Sequence, residues 1–116
     1  MTNDVSAARD ALRHAGGAEH PFFVGEGYSK LFEIPAGVTL GQHSHKVGHE
    51  SILLLGRAVL CHGDGRETEL DAPAIVYLPA YEAHAVRAIT PVLWACNWPN
   101  PDGLLDADEL ERKVIA

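Results

Sequence analysis

Three histidines crowd one short segment of the chain, and a fourth follows further on. His43, His45 and His49 lie within seven positions, and His84 follows a stretch that contains a proline. Imidazole nitrogen is a borderline ligand that suits Zn, Fe, Cu, Ni and, less well, Mn. Burying several imidazoles side by side without a metal would leave their nitrogens unpaired or mutually repelling. The spacing therefore predicts a divalent-metal site formed by three or four of these side chains.

Strand geometry explains how these side chains could converge. Residues two apart in an extended strand point to the same side, so we expect His43 and His45 to face one way. The stretch 46–48 is short and contains a glycine, so it can turn the chain. His49 then opens the next strand at the same end of the sheet, where His84 could supply a fourth ligand.

The remaining histidines and the cysteines have no such pattern. His14, His20 and His62 have no partner at a regular spacing, so we expect them to be ordinary surface or core residues. Cys61 and Cys96 are too few for a disulfide framework, and neither lies in a C-x-x-C motif. Both are predicted to be buried thiols, and Cys96 is a possible neighbour of the site.

The elements that must position the histidines are strands, with helices only near the chain ends. Residues 4–15 predict a helix that Asp4 caps, and residues 106–115 predict a second that begins at a capping-box sequence. Between them, glycine and proline separate short apolar segments, which is typical of an antiparallel sandwich or barrel. The predicted strands are 27–34, 49–55, 57–63, 66–71, 74–79, 84–89 and 92–98.

One predicted strand indicates a partner chain. Residues 52–55 are apolar at consecutive positions, so both faces of this strand should be covered. One sheet can cover only one of these faces in a small sandwich. We therefore predict a homodimer.

Length and composition limit the class of protein. The chain has 116 residues, of which 47% are hydrophobic and 22% charged, as in one globular domain. Its formal net charge is −7 and Lys and Arg do not cluster, which argues against nucleic acid or an anionic membrane as a partner. Without a predicted signal peptide or membrane span, we expect a cytoplasmic protein with a small-molecule ligand or substrate.

The histidine segment resembles the first motif of the cupins, G-x5-H-x-H-x(3,4)-E-x6-G. Residues 37–45 match its opening, and Gly56 matches its closing glycine. With the three-residue spacing, His49 stands where cupins usually place glutamate. Glu50 takes that place only if the two spacings shift to four and five, so a four-histidine site is the preferred interpretation.

A second cupin motif, G-x5-P-x-G-x2-H-x3-N, is matched in part. Pro79 and His84 have its spacing, but Tyr81 replaces its glycine and Ala88 replaces its asparagine. Residues 71–73 stand where the leading glycine is expected. The substitution at Tyr81 alters the turn that precedes His84 and therefore the placement of that ligand.

The resemblance implies a fold and a metal. The fold would be all-β, a cupin-type double-stranded β-helix or jelly-roll barrel, in a single domain over residues 1–116 with its barrel core at about 19–100. The cofactor would be one divalent ion of Fe, Mn, Ni, Zn or Cu. Among the cupins, this sequence most resembles small single-domain bacterial members with the H-x-H-x3-H pattern. Four histidines would bind that ion: His43, His45, His49 and His84.

Two functions of different class follow from such a site. Four neutral imidazoles leave the ion its full charge, which favours an anionic ligand, and an ion that accepts six ligands would keep two open positions. The first hypothesis is a metal-dependent enzyme, most plausibly a dioxygenase-like oxidoreductase acting on a small organic anion, with an isomerase or lyase less favoured. The second is a noncatalytic small-ligand or metal-binding module.

The sequence marks no obvious general base. Glu50, Tyr77 and Tyr81 are the candidates for a catalytic side chain. Glu50 and Gln42 could also orient an imidazole by a hydrogen bond to the ring nitrogen that does not bind the metal. By strand alternation, the predicted lining of the site is Tyr77, Val86, Trp94, Cys96 and Trp98.

Overall fold

The computed structural model describes residues 5–42 and 44–115, and these residues are mostly in strands. In chain order the elements of this part of the chain are α1 (Val5–His14), β1 (Ala18–Val24), β2 (Gly27–Ile34), β3 (Thr39–Gln42), β4 (His49–Leu55), β5 (Arg57–His62), β6 (Glu67–Asp71), β7 (Ala74–Leu78), β8 (His84–Ala88), β9 (Val92–Pro99) and α2 (Ala107–Val114).

The strands form two antiparallel sheets. The larger has the order β1-β2-β9-β4-β7, and the smaller has the order β3-β8-β5-β6. Strands that are distant in sequence lie side by side, because β9 pairs with both β2 and β4, and β8 pairs with β3 and β5. This arrangement is a jelly-roll sandwich, which confirms the predicted all-β fold.

Alternating side chains of β2 show how each strand builds the core. Tyr28, Phe32 and Ile34 point between the sheets and are almost completely buried. Lys30 has the same parity and is also buried, so a charged group stands among apolar ones. The other large apolar side chains of the core include Leu40, Leu53, Leu60, Leu78, Val86, Val92, Trp94 and Trp98.

All seven predicted strands are present, and two strands were not predicted. β1 contains Pro21, which normally argues against a strand, but β1 lies at the edge of its sheet. An edge strand tolerates proline because the missing N–H faces no partner. β3 has only four residues, one of them Gly41, and so carries little alternation for a prediction to use.

The two helices confirm the predictions for the chain ends. The side chain of Asp106 accepts a hydrogen bond from the Glu109 backbone N–H at 3.0 Å, as the capping sequence predicts. The predicted cap of α1, Asp4, lies outside the described residues. α1 ends before Gly16, whose φ of 93° lies in the left-handed region. Neither helix is long and apolar enough to cross a membrane.

The end of α2 holds the histidine-bearing segment in place. The backbone N–H of Lys46 donates to the carbonyl of Val114 at 2.6 Å. His45 forms an isolated β-bridge with Ile115, the residue that follows the helix. Leu110 fixes the helix itself because it is buried in the core.

The apolar stretch at the end of β4 is covered on only one face by its own chain. Leu53 is fully buried between the sheets, but Leu54 and Leu55 are 40% and 63% exposed. On neighbouring β7, Ile75 is 69% exposed and lies opposite Ile52. The expected cover for this outer face does not come from within the described chain.

Candidate metal centre

Strand pairing brings three histidines to one end of the barrel. His49, the first residue of β4, lies opposite Leu78, the last residue of β7. The chain then turns and enters β8 at His84, which lies opposite Gln42 of β3 and His62 of β5. The strand ends that carry these residues therefore share one mouth of the barrel.

On the side of the larger sheet, two histidines pack against a tryptophan. The rings of His45 and His49 have their centroids 5.0 Å apart, and the Trp98 ring lies 5.2 Å from the first and 4.7 Å from the second. Both histidines are buried. We call His45, His49 and Trp98 the aromatic pocket.

The His49 ring is kept neutral by its surroundings. Burial lowers the pKa of His49 to about 4, and the nearby charge of His84 acts in the same direction. Neither ring nitrogen of His49 has a hydrogen-bond partner within the described part of the chain. Buried imidazole nitrogens normally find a partner, so a lone pair here is free for a ligand.

On the side of the smaller sheet, His84 belongs to a second group. Its Nε2 lies 3.7 Å from Glu82 Oε1, and the same oxygen lies 3.5 Å from Nδ1 of His62. The ligand atoms of these three residues are all within 4.8 Å of one another. We call His62, Glu82 and His84 the rim cluster.

Burial is the largest influence on the His84 ring. It lowers the pKa of His84, while the Glu82 carboxylate opposes the shift and His62 adds to it. Nε2 of His84 and Nδ1 of His62 are buried and have no hydrogen-bond partner among residues 5–42 and 44–115. These nitrogens, like those of His49, are suited to bind a metal.

Sequence reasoning did not find His62 or Glu82 as site residues. His62 was expected to be an ordinary histidine, but the register of β5 against β8 places it directly opposite His84. Its position at the end of a predicted hairpin strand was the available signal. Glu82 lies two residues before His84 in the turn, and this proximity in sequence was the available signal that it could be a ligand.

The predicted ligands are placed as follows. His45, His49 and His84 are buried at the same mouth, whereas His43 lies outside the described residues. His45 is not part of β3, which ends at Gln42, and it forms an isolated β-bridge with Ile115. The Tyr81 backbone N–H instead ties this segment down by donating to the His45 carbonyl at 2.7 Å.

The three catalytic candidates lie outside the mouth. Glu50 pairs with Tyr77 and Asn97 on the outer face of the larger sheet, so it faces away from His49. Tyr77, expected in the lining, is 68% exposed on that outer face, and its hydroxyl instead packs over Gly48. Tyr81 is 70% exposed, and its φ of 62° has the left-handed conformation of the glycine it replaces.

The other predicted lining residues do lie between the sheets. Val86, Trp94 and Cys96 are fully buried. The Cys96 sulfur accepts hydrogen bonds from Gln42 Nε2 at 3.1 Å and from Ser51 Oγ at 3.2 Å. Burial raises the pKa of the Cys96 thiol, so it stays protonated. Gln42 therefore contacts the thiol with its amide nitrogen.

A small cavity of about 50 Å³ adjoins the aromatic pocket. Its wall contains His45, Trp98 and the buried Lys30. Lys30 Nζ lies 2.8 Å from Glu19 Oε1 and 2.5 Å from Glu111 Oε1, the latter delivered by α2. The cavity therefore combines an aromatic wall with a cation whose charge two carboxylates balance.

Comparison with solved structures identifies the fold. A cupin superfamily protein from Desulfitobacterium hafniense is 15% identical, with a TM-score of 0.63 over 72% of this chain and 76% of that chain. An RmlC-like cupin from Shewanella frigidimarina is 18% identical, with a TM-score of 0.63 over 74% and 78% of the two chains. A salicylate 1,2-dioxygenase from Pseudaminobacter salicylatoxidans is 12% identical, with a TM-score of 0.67 over 83% of this chain and 32% of the enzyme.

No family model matches the sequence, and no curated protein matches it. The likeness to the solved structures is thus one of backbone rather than of sequence. It agrees with the order and spacing of the two motifs at residues 37–56 and 79–84. This chain has the fold of the cupin superfamily, a small jelly-roll domain.

Proposed function

We propose that this protein is a metal-binding cupin whose ion is held by His45, His49 and His84, with His43 as the fourth ligand. The observation that carries the proposal is that buried ring nitrogens of His49 and His84, at one mouth of the barrel, have no hydrogen-bond partner among the described residues. Leaving such nitrogens unsatisfied costs free energy, and a divalent ion would satisfy them. The residues therefore fit the metal that the motifs imply.

The donor set favours a borderline divalent ion such as Fe, Mn, Ni, Zn or Cu. When bound, such an ion supplies Lewis acidity and coordination positions for a ligand. The chain's own part is to exclude water and hold the rings: Trp98 packs on His45 and His49, and the end of α2 clamps the segment that carries His45.

We further propose that the protein is an oxygenase-like enzyme acting on a small organic anion. Support comes from the fold shared with a salicylate dioxygenase. Neutral imidazole ligands do not reduce the charge of the ion, which favours an anion further. In this proposal Trp98, in the wall of the adjoining cavity, packs against the apolar part of the substrate.

The test begins with the metal. Protein purified without an affinity tag is analysed for bound metals, and oxygen uptake is then measured with diketones, catechols and hydroxy acids. We expect about one equivalent of a divalent metal and uptake with one class of anion, both reduced in His49→Ala. Absence of any metal after growth in metal-supplemented medium would overturn the proposal.

A noncatalytic metal-binding or small-ligand module is the second candidate, and the size of the cavity favours it. About 50 Å³ holds a water or a group of a few atoms, whereas sites for drug-sized ligands are typically about 300–1,000 Å³. Metal binding without oxygen uptake or turnover of any substrate in the panel would select this function.

We propose a homodimer that covers the outer face of β4 and β7. Leu55, Ile75 and Tyr77 are each more than 60% exposed there, and β7 is the edge strand of the larger sheet among the described residues. A second copy of this chain could add strand to strand and bury these side chains. Light scattering should show a dimer for the wild type and a monomer for Ile75→Lys, with Leu105→Lys as an exposed apolar control.

The cytoplasm is the proposed location. Cys61 and Cys96, the two cysteines of the chain, are both free thiols. Free thiols are usual in a reducing compartment, where disulfides are rare. Fractionation of the producing cells should therefore place the protein with cytoplasmic markers.

A further inference from the structure

The rim cluster has the features of a metal position that does not depend on the aromatic pocket. Glu82 Oε1 lies 3.5 Å from His62 Nδ1 and 3.7 Å from His84 Nε2, which is too long for good hydrogen bonds. Both nitrogens are buried and lack a hydrogen-bond partner in the described part of the protein. The three ligand atoms therefore lie close together, but the distances to Glu82 Oε1 are too long for good hydrogen bonds.

A hydrogen bond at the ring nitrogen that faces away from the rim cluster orients His62. Its Nε2 lies 3.0 Å from the hydroxyl oxygen of Thr68 on the neighbouring strand β6. A ring that donates its Nε2–H to this oxygen presents the lone pair of Nδ1 to the rim cluster. Histidines that bind metals are normally held in this way, with the second nitrogen donating to an oxygen.

Two of the three distances between ligand atoms are close to those of a tetrahedral site, and all three atoms lie within 4.8 Å of one another. With metal–ligand distances of about 2.0–2.2 Å, two ligand atoms of a tetrahedral zinc ion lie roughly 3.3–3.6 Å apart. The two distances to Glu82 Oε1 are within a few tenths of an ångström of this value. Two histidines and one glutamate are also a known zinc donor set that leaves a fourth position for water.

An ion can reach this position from solvent. The side chain of His84 is only 3% exposed, but that of Glu82 is 33% exposed. The nearest competing cation is Arg66, whose Nη2 is 3.8 Å from Glu82 Oε1 and whose Nε is bound to Asp64 at 2.7 Å. The Glu82 carboxylate is therefore available to an incoming cation.

We propose that the rim cluster is a second divalent-metal position, with His62 Nδ1, Glu82 Oε1 and His84 Nε2 as its ligands and zinc as its best-fitting ion. It goes beyond the proposed function because it needs neither His45 nor His49. Its carboxylate reduces the charge of the ion, unlike an all-histidine site. Because one nitrogen binds one ion at a time, the two positions compete for His84.

The experiment measures zinc affinity by competition with a chromophoric chelator, using the full chain freed of metal. His49→Ala removes a ligand of the first position, and the residual zinc binding is then compared after a second change, either His62→Ala or Glu82→Gln. Glu67→Gln is the matched control because it removes a carboxylate of the smaller sheet that is not in the rim cluster. Far-ultraviolet circular dichroism checks that each variant folds, and His62→Gln replaces His62→Ala if that variant does not.

We expect His49→Ala to bind zinc more weakly than the wild type but still to bind one equivalent when zinc is in excess. Either rim substitution should weaken that residual binding at least about tenfold, the lower end of the range for loss of a supporting group. Glu67→Gln should leave it unchanged. The proposal is overturned if the rim variants bind zinc as tightly as the Glu67→Gln control. If instead His49→Ala keeps the wild-type affinity and the rim variants lose it, the rim position stands and the ligand set of the proposed function fails.

Discussion

The two sheets bring histidines with different surroundings to the same end of the barrel. In the aromatic pocket of the larger sheet, His49 is buried against Trp98 and neither of its nitrogens has a partner in the described chain. In the rim cluster of the smaller sheet, His62 is oriented by Thr68 and faces the half-exposed carboxylate of Glu82.

This difference shows how one barrel end can offer two kinds of ligand. The aromatic pocket gives neutral rings in a dry environment, which bind a metal without reducing its charge but destabilise the metal-free fold. The rim cluster combines a carboxylate with two imidazoles, and solvent reaches it through the partly exposed Glu82. His84 contributes to both, because its charge influences His49 while its Nε2 faces Glu82.

The largest effect should come from the residue that the two groups share. His84→Ala removes a ligand from both positions, so zinc affinity should fall by more than the roughly 10–100-fold that loss of a supporting group typically costs. Chelator competition measures the change, with His20→Ala as the control for an exposed histidine that pairs with Glu33. An unchanged affinity would contradict both metal positions at once.

The dry surroundings of His49 should make the metal-free protein sensitive to acid. Its folded-state pKa of about 4 lies below the unfolded value of 6.5, so the unfolded chain binds more protons between these values. Stability is therefore lost as the pH falls from about 6.5 to about 4, by about 2 kcal/mol between pH 7 and pH 5. Urea unfolding in the presence of a chelator measures this loss.

His49→Phe provides the comparison for the acid effect, since it keeps an aromatic ring against Trp98 and removes the titrating group. The variant should lose less stability than the wild type between the two pH values. Equal losses for the two proteins would show that the aromatic pocket does not disfavour the protonated ring.

Removing the support of His62 should have a moderate effect confined to the rim cluster. Thr68→Val keeps the shape of the side chain but removes the oxygen that meets His62 Nε2. In the His49→Ala background, zinc affinity should fall about tenfold, as expected for loss of an orienting group. Thr39→Val, on the exposed side of β3, should have no effect. A loss of the same size in both variants would contradict the orienting role.

The smallest effect concerns the turn that connects the two groups. Tyr81 has a φ of 62°, and its backbone N–H donates to the His45 carbonyl. A left-handed backbone conformation costs a non-glycine residue about 1–2 kcal/mol, and glycine avoids this cost. Glycine also gives the unfolded chain more conformational freedom, which offsets part of the gain in stability. Tyr81→Gly should therefore stabilise the fold by about 0.5 kcal/mol. Thermal unfolding tests this, and Tyr81→Ala should bring no gain.

Local sequence patterns determined much of the fold. Alternating apolar residues, separated by glycine and proline, predicted β2 and the strands from β4 to β9, and Asp106 predicted the start of α2. These signals depend only on residues that are close in sequence, so they can be recognised without knowing which elements are neighbours in the fold. The edge strand β1 was missed because the tolerance for Pro21 depends on its place in the sheet.

The motifs also predicted that His45, His49 and His84 lie at one mouth of the barrel, since their spacing encodes the ends of adjacent strands. The same spacing left His49 and Glu50 as alternatives. Pairing of β4 with β7 and β9 resolved which of the two faces the core, because neighbouring residues of a strand point to opposite faces.

Only the tertiary structure brought His62 and Glu82 to His84. His62 is 22 positions before His84 in the sequence, and the two meet because β5 pairs with β8 in one particular register. Neither strand by itself specifies that register. A shift by one residue would turn every side chain to the other face, so the register depends on which face is buried. Burial of the apolar side chains of β5 and β8 between the two sheets selects the register, and that selection depends on the whole barrel.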